Sequence, residues 1–151
     1  MFLAERWYSM IGFFIALISG ALMSIQGVFN TQVTKSAGIW LASAFVQLTA
    51  LMVCVAAWLI KERTPVQSLF LVQPKYMLLG GVIGAFITIT VIKAMEMLGP
   101  AKAVMFIVIS QLIVAYVIEV FGMFGVDKEP FAWRKVVGML IAIAGVIIFK
   151  W

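Results

Sequence analysis

The 151-residue chain is 65% apolar and 11% charged, with a formal net charge of +5 at pH 7. Because soluble domains are roughly half apolar and a quarter charged, this composition excludes a soluble globule and indicates an all-α integral membrane protein. One cysteine, Cys54, and no histidine exclude an intrachain disulfide and a histidine proton relay, and they argue against a zinc site. We expect no metal and no cofactor, and we attribute the positive charge to membrane anchoring rather than to nucleic-acid binding.

Long runs without a charged residue predict five transmembrane helices in a single domain that covers residues 1–151. A spanning helix needs roughly 20 residues, and the first three runs hold 28, 25 and 17 uncharged residues. The last two runs hold 16 and 14, so there Lys and Arg side chains at the flanks must reach out to the headgroups. The predicted helices cover residues 8–33, 38–61, 76–98, 101–124 and 133–150.

The first predicted helix carries two amide side chains, Gln26 and Asn30, four residues apart on one helix face. Polar groups in hydrocarbon usually face other helices or a water-filled cavity. Two interpretations stay open: a substrate-binding patch, or hydrogen bonds that hold helices together. The uncharged run is too long for the core of a cleavable signal peptide, so we expect it to be a span.

The third predicted helix ends with two charged residues, Lys93 and Glu96, three positions apart on one face. They predict either an ion pair at the membrane interface or a gate that contacts substrate. Gly99 and Pro100 follow at once and predict a tight turn, since proline suits the first turn of the next helix.

The fourth predicted helix places Gln111 and Glu119 on one face, with Ser110 beside Gln111. A carboxyl group inside a span is a functional-site hypothesis by default. Hydrocarbon favours its neutral form, so Glu119 could bind and release a coupling proton. In the alternative interpretation, Glu119 lies at the far boundary of the helix and simply ends the span at the headgroups.

The basic residues predict an orientation for these five helices. An odd number of spans puts the termini on opposite sides, and loops rich in Lys and Arg stay in the cytoplasm. Seven basic residues fall on the N-terminal side and four on the other, so we predict a cytoplasmic N-terminus and an external C-terminus. The seven are Arg6, Lys61, Arg63, Lys75, Lys128, Arg134 and Lys135.

A series of short motifs runs along the chain in a fixed order. These are Gly20 with Gln26 and Asn30, Gly80-Gly81 with Gly84, Leu98-Gly99-Pro100, Ser110-Gln111-Leu112, Glu119-Val120-Phe121-Gly122-Met123-Phe124-Gly125, and Arg134 with Gly138 and Gly145. Together with five spans, they resemble the small YdcZ-like membrane proteins of bacteria, a group within the drug/metabolite transporter superfamily. The family often has aspartate where this chain has Glu119, which keeps the carboxylate.

The resemblance implies an architecture and a function. Larger members of the superfamily look like ten-helix proteins built from two inverted five-helix halves, and this chain is similar to one half. Inverted repeats bind substrate near the bilayer midplane, between the repeats. The resemblance thus implies a homodimer or paired heterodimer in the bacterial inner membrane.

As such a dimer, the chain would be a secondary transporter that moves a small organic solute or cation by alternating access. The residues that would line the path are Gln26, Asn30, Ser110 and Gln111, and Glu119 would couple transport to protons.

Two other functions stay open at this point. The chain could be a non-transporting scaffold or regulatory subunit, whose polar residues only hold helices together, or a subunit of a flippase for lipid-linked substrates. We expect no enzyme activity, because the sequence offers no nucleophile–base set, no metal-ligand cluster and no paired carboxylates within a span. The expected partners are the lipid bilayer, a small-molecule substrate and a second subunit.

Overall fold

The computed structural model describes the backbone of residues 2–150 and the side chains of residues 7–149. Every regular element in this part of the chain is a helix, which confirms the all-α part of the predicted fold class; the five-helix bundle and its likeness to one inverted half stay predictions. One turn of π-helix extends α2 to Glu62, and 3-10 turns precede α4 and follow α5. The α-helices are α1 (Phe2–Ala37), α2 (Ile39–Ala57), α3 (Ser68–Leu71), α4 (Gly80–Leu98), α5 (Pro100–Phe121) and α6 (Trp133–Lys150).

Four helical segments are long and apolar enough to cross a membrane, with mean hydropathies between 1.9 and 2.4. Their ends lie within four residues of the first four predicted helices, so the prediction of a multi-helix membrane protein is confirmed. Among the described residues α6, with 18 residues, is not one of these four segments, and a fifth crossing stays a prediction. The four segments are Trp7–Ala37, Ile39–Glu62, Lys75–Leu98 and Pro100–Phe121.

The helices form two compact units, residues 1–97 with α1 to α4 and residues 98–151 with α5 and α6. This division into two units does not test the predicted single transmembrane domain, which stays a prediction. In both units most large apolar side chains are on the surface, as at Phe29, which is 65% exposed, and Ile141, which is 67% exposed. A continuous apolar surface of this kind is unfavourable in water, and hydrocarbon is the solvent that suits it.

Two glycines precede helices in the same backbone conformation. Gly38 (φ 77°, ψ 157°) separates α1 from α2, and Gly99 (φ 80°, ψ 157°) precedes α5. A positive φ strains most residues but not glycine, because glycine has no Cβ. The carbonyl oxygens of both glycines accept hydrogen bonds from the N–H groups four residues later, at Ala42 and Ala103, so each helix begins directly at its glycine.

Within the first unit, α1 and α4 meet at Gly27, where α1 carries no side chain. A Cβ atom at this position would lie 2.4 Å from Cε and 2.8 Å from Sδ of Met95, which is closer than atoms can pack. Met95 and its neighbour Ile92 are both buried. The glycine therefore provides the space in which the Met95 side chain packs against α1.

Candidate functional site

A groove of about 620 Å³ runs between α1 and α2 in the first unit. Its walls are mainly apolar, and its polar groups are the amides of Gln26 and Asn30, the hydroxyl of Thr49 and the thiol of Cys54. None of its lining residues is charged. We call this the α1–α2 groove, and its lining is Leu22, Met23, Ile25, Gln26, Phe29, Asn30, Val46, Thr49, Ala50, Val53 and Cys54.

The structure brings the two predicted amides of α1 together in this groove. Gln26 is exposed, whereas Asn30 is buried at 8% exposure. Neither amide side chain has a hydrogen-bond partner among the described residues, so here they do not hold helices together. Their amide groups are free to bind a guest, and contact with substrate stays a prediction.

Backbone turns and hydroxyl groups fix the end of the groove near Gly38. The Thr34 hydroxyl donates to the Asn30 carbonyl oxygen at 2.9 Å, and the Thr31 hydroxyl donates to that of Gly27 at 2.8 Å. Both bonds stay within α1, so they satisfy the hydroxyl groups without crossing to another helix. Asn30 therefore lies on a regular stretch of α1, eight residues before the Gly38 turn.

Ser43 is a polar residue of this region that the sequence interpretation missed. It is 5% exposed, and its Oγ atom has no hydrogen-bond partner among the described residues. A serine inside a long uncharged run was visible in the sequence, but serine is common in such helices and usually bonds to its own backbone. Only the structure shows that this hydroxyl does not.

A second polar region lies where α5 ends and α6 begins, within the second unit. The Lys135 ammonium donates to Glu119 Oε2 at 2.8 Å and to Glu129 Oε2 at 2.5 Å. Its Nζ atom also lies 5.7 Å from the centre of the Tyr116 ring, within range of a cation–π contact. We call Glu119, Glu129 and Lys135 the ion cluster.

Backbone contacts anchor the connection that carries this cluster. The Tyr116 hydroxyl accepts a hydrogen bond from the Ala132 N–H at 2.9 Å and donates to the Ala132 carbonyl oxygen at 3.2 Å. The Glu119 carbonyl oxygen accepts from the Glu129 N–H at 3.0 Å. A cavity of about 340 Å³ lies alongside, lined by Leu112, Ala115, Tyr116, Glu119, Lys135, Gly138 and Met139.

Glu119 is thus a partly exposed, ion-paired residue near the end of a helix. It lies two residues before the end of α5 at Phe121, and its side chain is 41% exposed. This position favours the interpretation in which Glu119 lies at the boundary of the span. Its coupling role stays a prediction, and its partner Lys135, 16 residues away on another helix, could not be read from spacing.

The other predicted residues lie apart from these two regions. Ser110 and Gln111 are exposed on α5 without a hydrogen-bond partner among the described residues, and neither lines the cavity beside Glu119. Lys93 and Glu96 are exposed on α4, and in the described part of the chain their side chains form no ion pair. Their roles in binding or gating stay predictions. The described residues also contain no group of side chains that could hold a metal ion.

Comparison with known proteins gives one match. Residues 11–148 match the family described as "Putative inner membrane exporter, YdcZ". The match begins in α1 and ends in α6, so it includes both polar regions. No curated protein and no solved structure matches the chain.

Proposed function

The chain belongs to the YdcZ family, and we propose that it is one half of a secondary transporter that exports a small organic solute or cation by alternating access. Membership and four apolar helices make it a multi-pass inner membrane protein of a transporter family. The observation that carries the proposal is the α1–α2 groove, in which two unpartnered amides interrupt an apolar wall. Such walls with a few placed polar groups are typical of small-molecule sites.

A complete path needs a second subunit in this proposal. The α1–α2 groove is bounded by two helices, so further helices must close it against lipid. A second copy or a related chain in the inverted orientation supplies them, as inverted repeats do in larger transporters. We propose that α6 is the fifth crossing, because 18 residues make a helix about 27 Å long, close to a hydrocarbon core about 30 Å thick. We also propose a cytoplasmic N-terminus, which the distribution of basic residues supports.

Proton coupling at Glu119 requires that the ion cluster opens during transport. In the conformation described here, the Lys135 ammonium neutralises the Glu119 carboxylate. A proton can replace Lys135 as the counter-charge once the two side chains separate. We propose that Lys135 and a proton alternate at Glu119 as the transporter changes its access.

Flux in proteoliposomes tests this function. A panel of neutral and cationic organic solutes is loaded, a proton gradient is applied, and efflux is compared with protein-free vesicles. Glu119→Gln should abolish the dependence on the gradient, whereas Glu129→Gln, which keeps the Glu119–Lys135 pair, should retain it. Folding of each variant is checked by size-exclusion chromatography. If no solute is transported while another membrane protein co-purifies in fixed ratio, the scaffold function replaces this proposal.

A further inference from the structure

The hydroxyl of Ser43 differs from the other unpartnered serine hydroxyl groups on helices in the described part of the chain, those of Ser9, Ser19, Ser36 and Ser110, because those four residues are exposed. The Ser43 hydroxyl is buried and unpartnered, and a buried polar group without a hydrogen bond costs free energy. Seven other Ser and Thr side chains on the described helices donate to a carbonyl oxygen three or four residues earlier. They are Ser24, Thr31, Thr34, Thr49, Ser68, Thr88 and Thr90. Ser43 therefore lacks the usual local partner and is left with an unmet hydrogen bond.

Ser43 does not itself line the α1–α2 groove, but it lies on the face of α2 that does. With about 100° of rotation per residue, its position around the helix axis falls between those of Ala50 and Cys54, which both line the groove. Along the axis it lies about one turn closer to Gly38 than Val46 does. Asn30, the buried amide, lines the groove from α1 near the same turn. The groove thus ends at the Asn30 amide, and the buried Ser43 hydroxyl lies on α2 just outside the groove lining; neither group has a hydrogen-bond partner among the described residues.

None of the residues that line the groove carries a charge that could pair with a charged solute. The groove side chains are mostly aliphatic or aromatic, as at Leu22, Phe29 and Val53. Moving an ion out of water without a counter-charge is expensive, whereas a neutral polar group needs only its hydrogen bonds. The groove is therefore suited to a molecule with one hydrogen-bonding end and an apolar body.

We propose that the α1–α2 groove carries an uncharged amphiphilic solute whose hydrogen-bonding head group binds Ser43 and Asn30. The apolar body lies along Leu22, Phe29 and Val53. This inference rests on the proposed export function and deepens it by naming the substrate class. Ser43 is covered in the present conformation, so the solute reaches it as α1 and α2 separate, and binding supplies the missing hydrogen bond.

Cys54 makes the proposal testable in the natural chain, because it is the sole cysteine and it lines the groove. The protein is placed in phosphatidylcholine vesicles, and the rate at which a membrane-permeant methanethiosulfonate modifies Cys54 is measured. Two probes share one apolar chain and differ in the head: N-octylacetamide is neutral, and octyltrimethylammonium is a permanent cation. The neutral probe should slow modification at lower concentrations than the cation does.

Ser43→Ala separates a binding role from a structural one. We expect the concentration of N-octylacetamide that protects half of Cys54 to rise about tenfold, because the variant loses one hydrogen bond to the probe. The melting temperature should stay equal or rise, because the variant removes a buried unpartnered hydroxyl. Ser24→Ala is the matched control and should not change protection, since the Ser24 hydroxyl already bonds to the Gly20 carbonyl oxygen.

A second control places the thiol on another face of α2. Leu48→Cys in a Cys54→Ala background puts it about 120° around the helix axis from Cys54, at an exposed position outside the groove lining, where neither probe should protect. The substrate class is refuted if the cation protects Cys54 as well as the amide, if neither probe protects, or if Ser43→Ala leaves protection unchanged. Flux of cations driven by a proton gradient would refute the class while leaving the export function intact.

Discussion

The two polar regions of the molecule differ in charge, in burial and in how their polar groups are satisfied. The α1–α2 groove holds neutral amides without hydrogen-bond partners and ends near the buried Ser43 hydroxyl, within two helices of spanning length. The ion cluster holds full charges that pair with one another where α5 ends and α6 begins, and its side chains are 41% to 56% exposed. A membrane protein can keep charges at its helix ends because water is near. The unmet polar groups inside the span, in contrast, are the ones that the proposed solute would satisfy.

The largest expected effect comes from filling the space at Gly27. Gly27→Leu should destabilise the first unit by about 1–3 kcal/mol, because the new side chain overlaps Met95. Thermal unfolding in detergent measures the loss, and faster modification of Cys54 reports that the groove has loosened. Met95→Ala should restore part of the stability, whereas Gly12→Leu, with nothing within 4 Å of its added Cβ, should have little effect. Equal losses of stability for Gly27→Leu and Gly12→Leu would contradict the packing of Met95 against Gly27.

The next effect comes from the tyrosine that anchors the second unit. Tyr116→Phe should cost about 1–2 kcal/mol, because the backbone N–H of Ala132 loses its partner, whereas the Ala132 carbonyl oxygen keeps the bonds from the N–H groups of Lys135 and Val136. Proteolysis of the 122–132 connection should become faster, while Cys54 modification stays unchanged. Tyr8→Phe is the control, since Tyr8 is 78% exposed. If Tyr116→Phe changed the rate of Cys54 modification by as large a factor as the rate of proteolysis, the two polar regions would not be independent of each other.

A smaller effect is expected from breaking the ion cluster. Lys135→Met should lower the melting temperature modestly at low salt and very little at high salt, because the two carboxylates then repel each other in a partly exposed site. Adding Glu129→Gln should recover most of the loss, since a single carboxylate remains. A large loss that does not depend on salt would show that the cluster is shielded from water and would weaken the contrast with the groove.

The smallest effect is expected at Lys93 and Glu96, whose side chains do not pair on α4 within the described chain. Lys93→Gln, Glu96→Gln and the double variant should each leave the melting temperature within error of the parent. A double-mutant cycle measures the coupling energy directly. A coupling energy above the measurement error would support the ion pair that the spacing of Lys93 and Glu96 predicts.

The sequence was informative wherever the signal was local. Uncharged runs located four apolar helices, and spacing by four placed Gln26 and Asn30 in one groove, because helix geometry alone decides both. Spacing by three at Lys93 and Glu96 permits a contact without requiring it, and the structure shows none among the described side chains. The family resemblance, confirmed over residues 11–148, came from the order of motifs rather than from any derived contact.

The structure was needed wherever two distant segments meet. Lys135 reaches Glu119 across 16 positions and a reversal of the chain, and no periodicity encodes that contact. The unmet hydroxyl of Ser43 depends on which side chains cover it, so it too is invisible in a linear pattern. Both residues would have been part of the predicted site had tertiary packing been known.

The single-residue turn at Gly38 also constrains how this protein enters the membrane. With only Gly38 between α1 and α2, no loop can be passed across the bilayer on its own. We therefore expect the two helices to partition from the insertion machinery into lipid together, as one hairpin. In the predicted orientation, with the N-terminus in the cytoplasm, the charge that this turn carries across is the single ammonium group of Lys35, in the last turn of α1, which keeps the translocation barrier low.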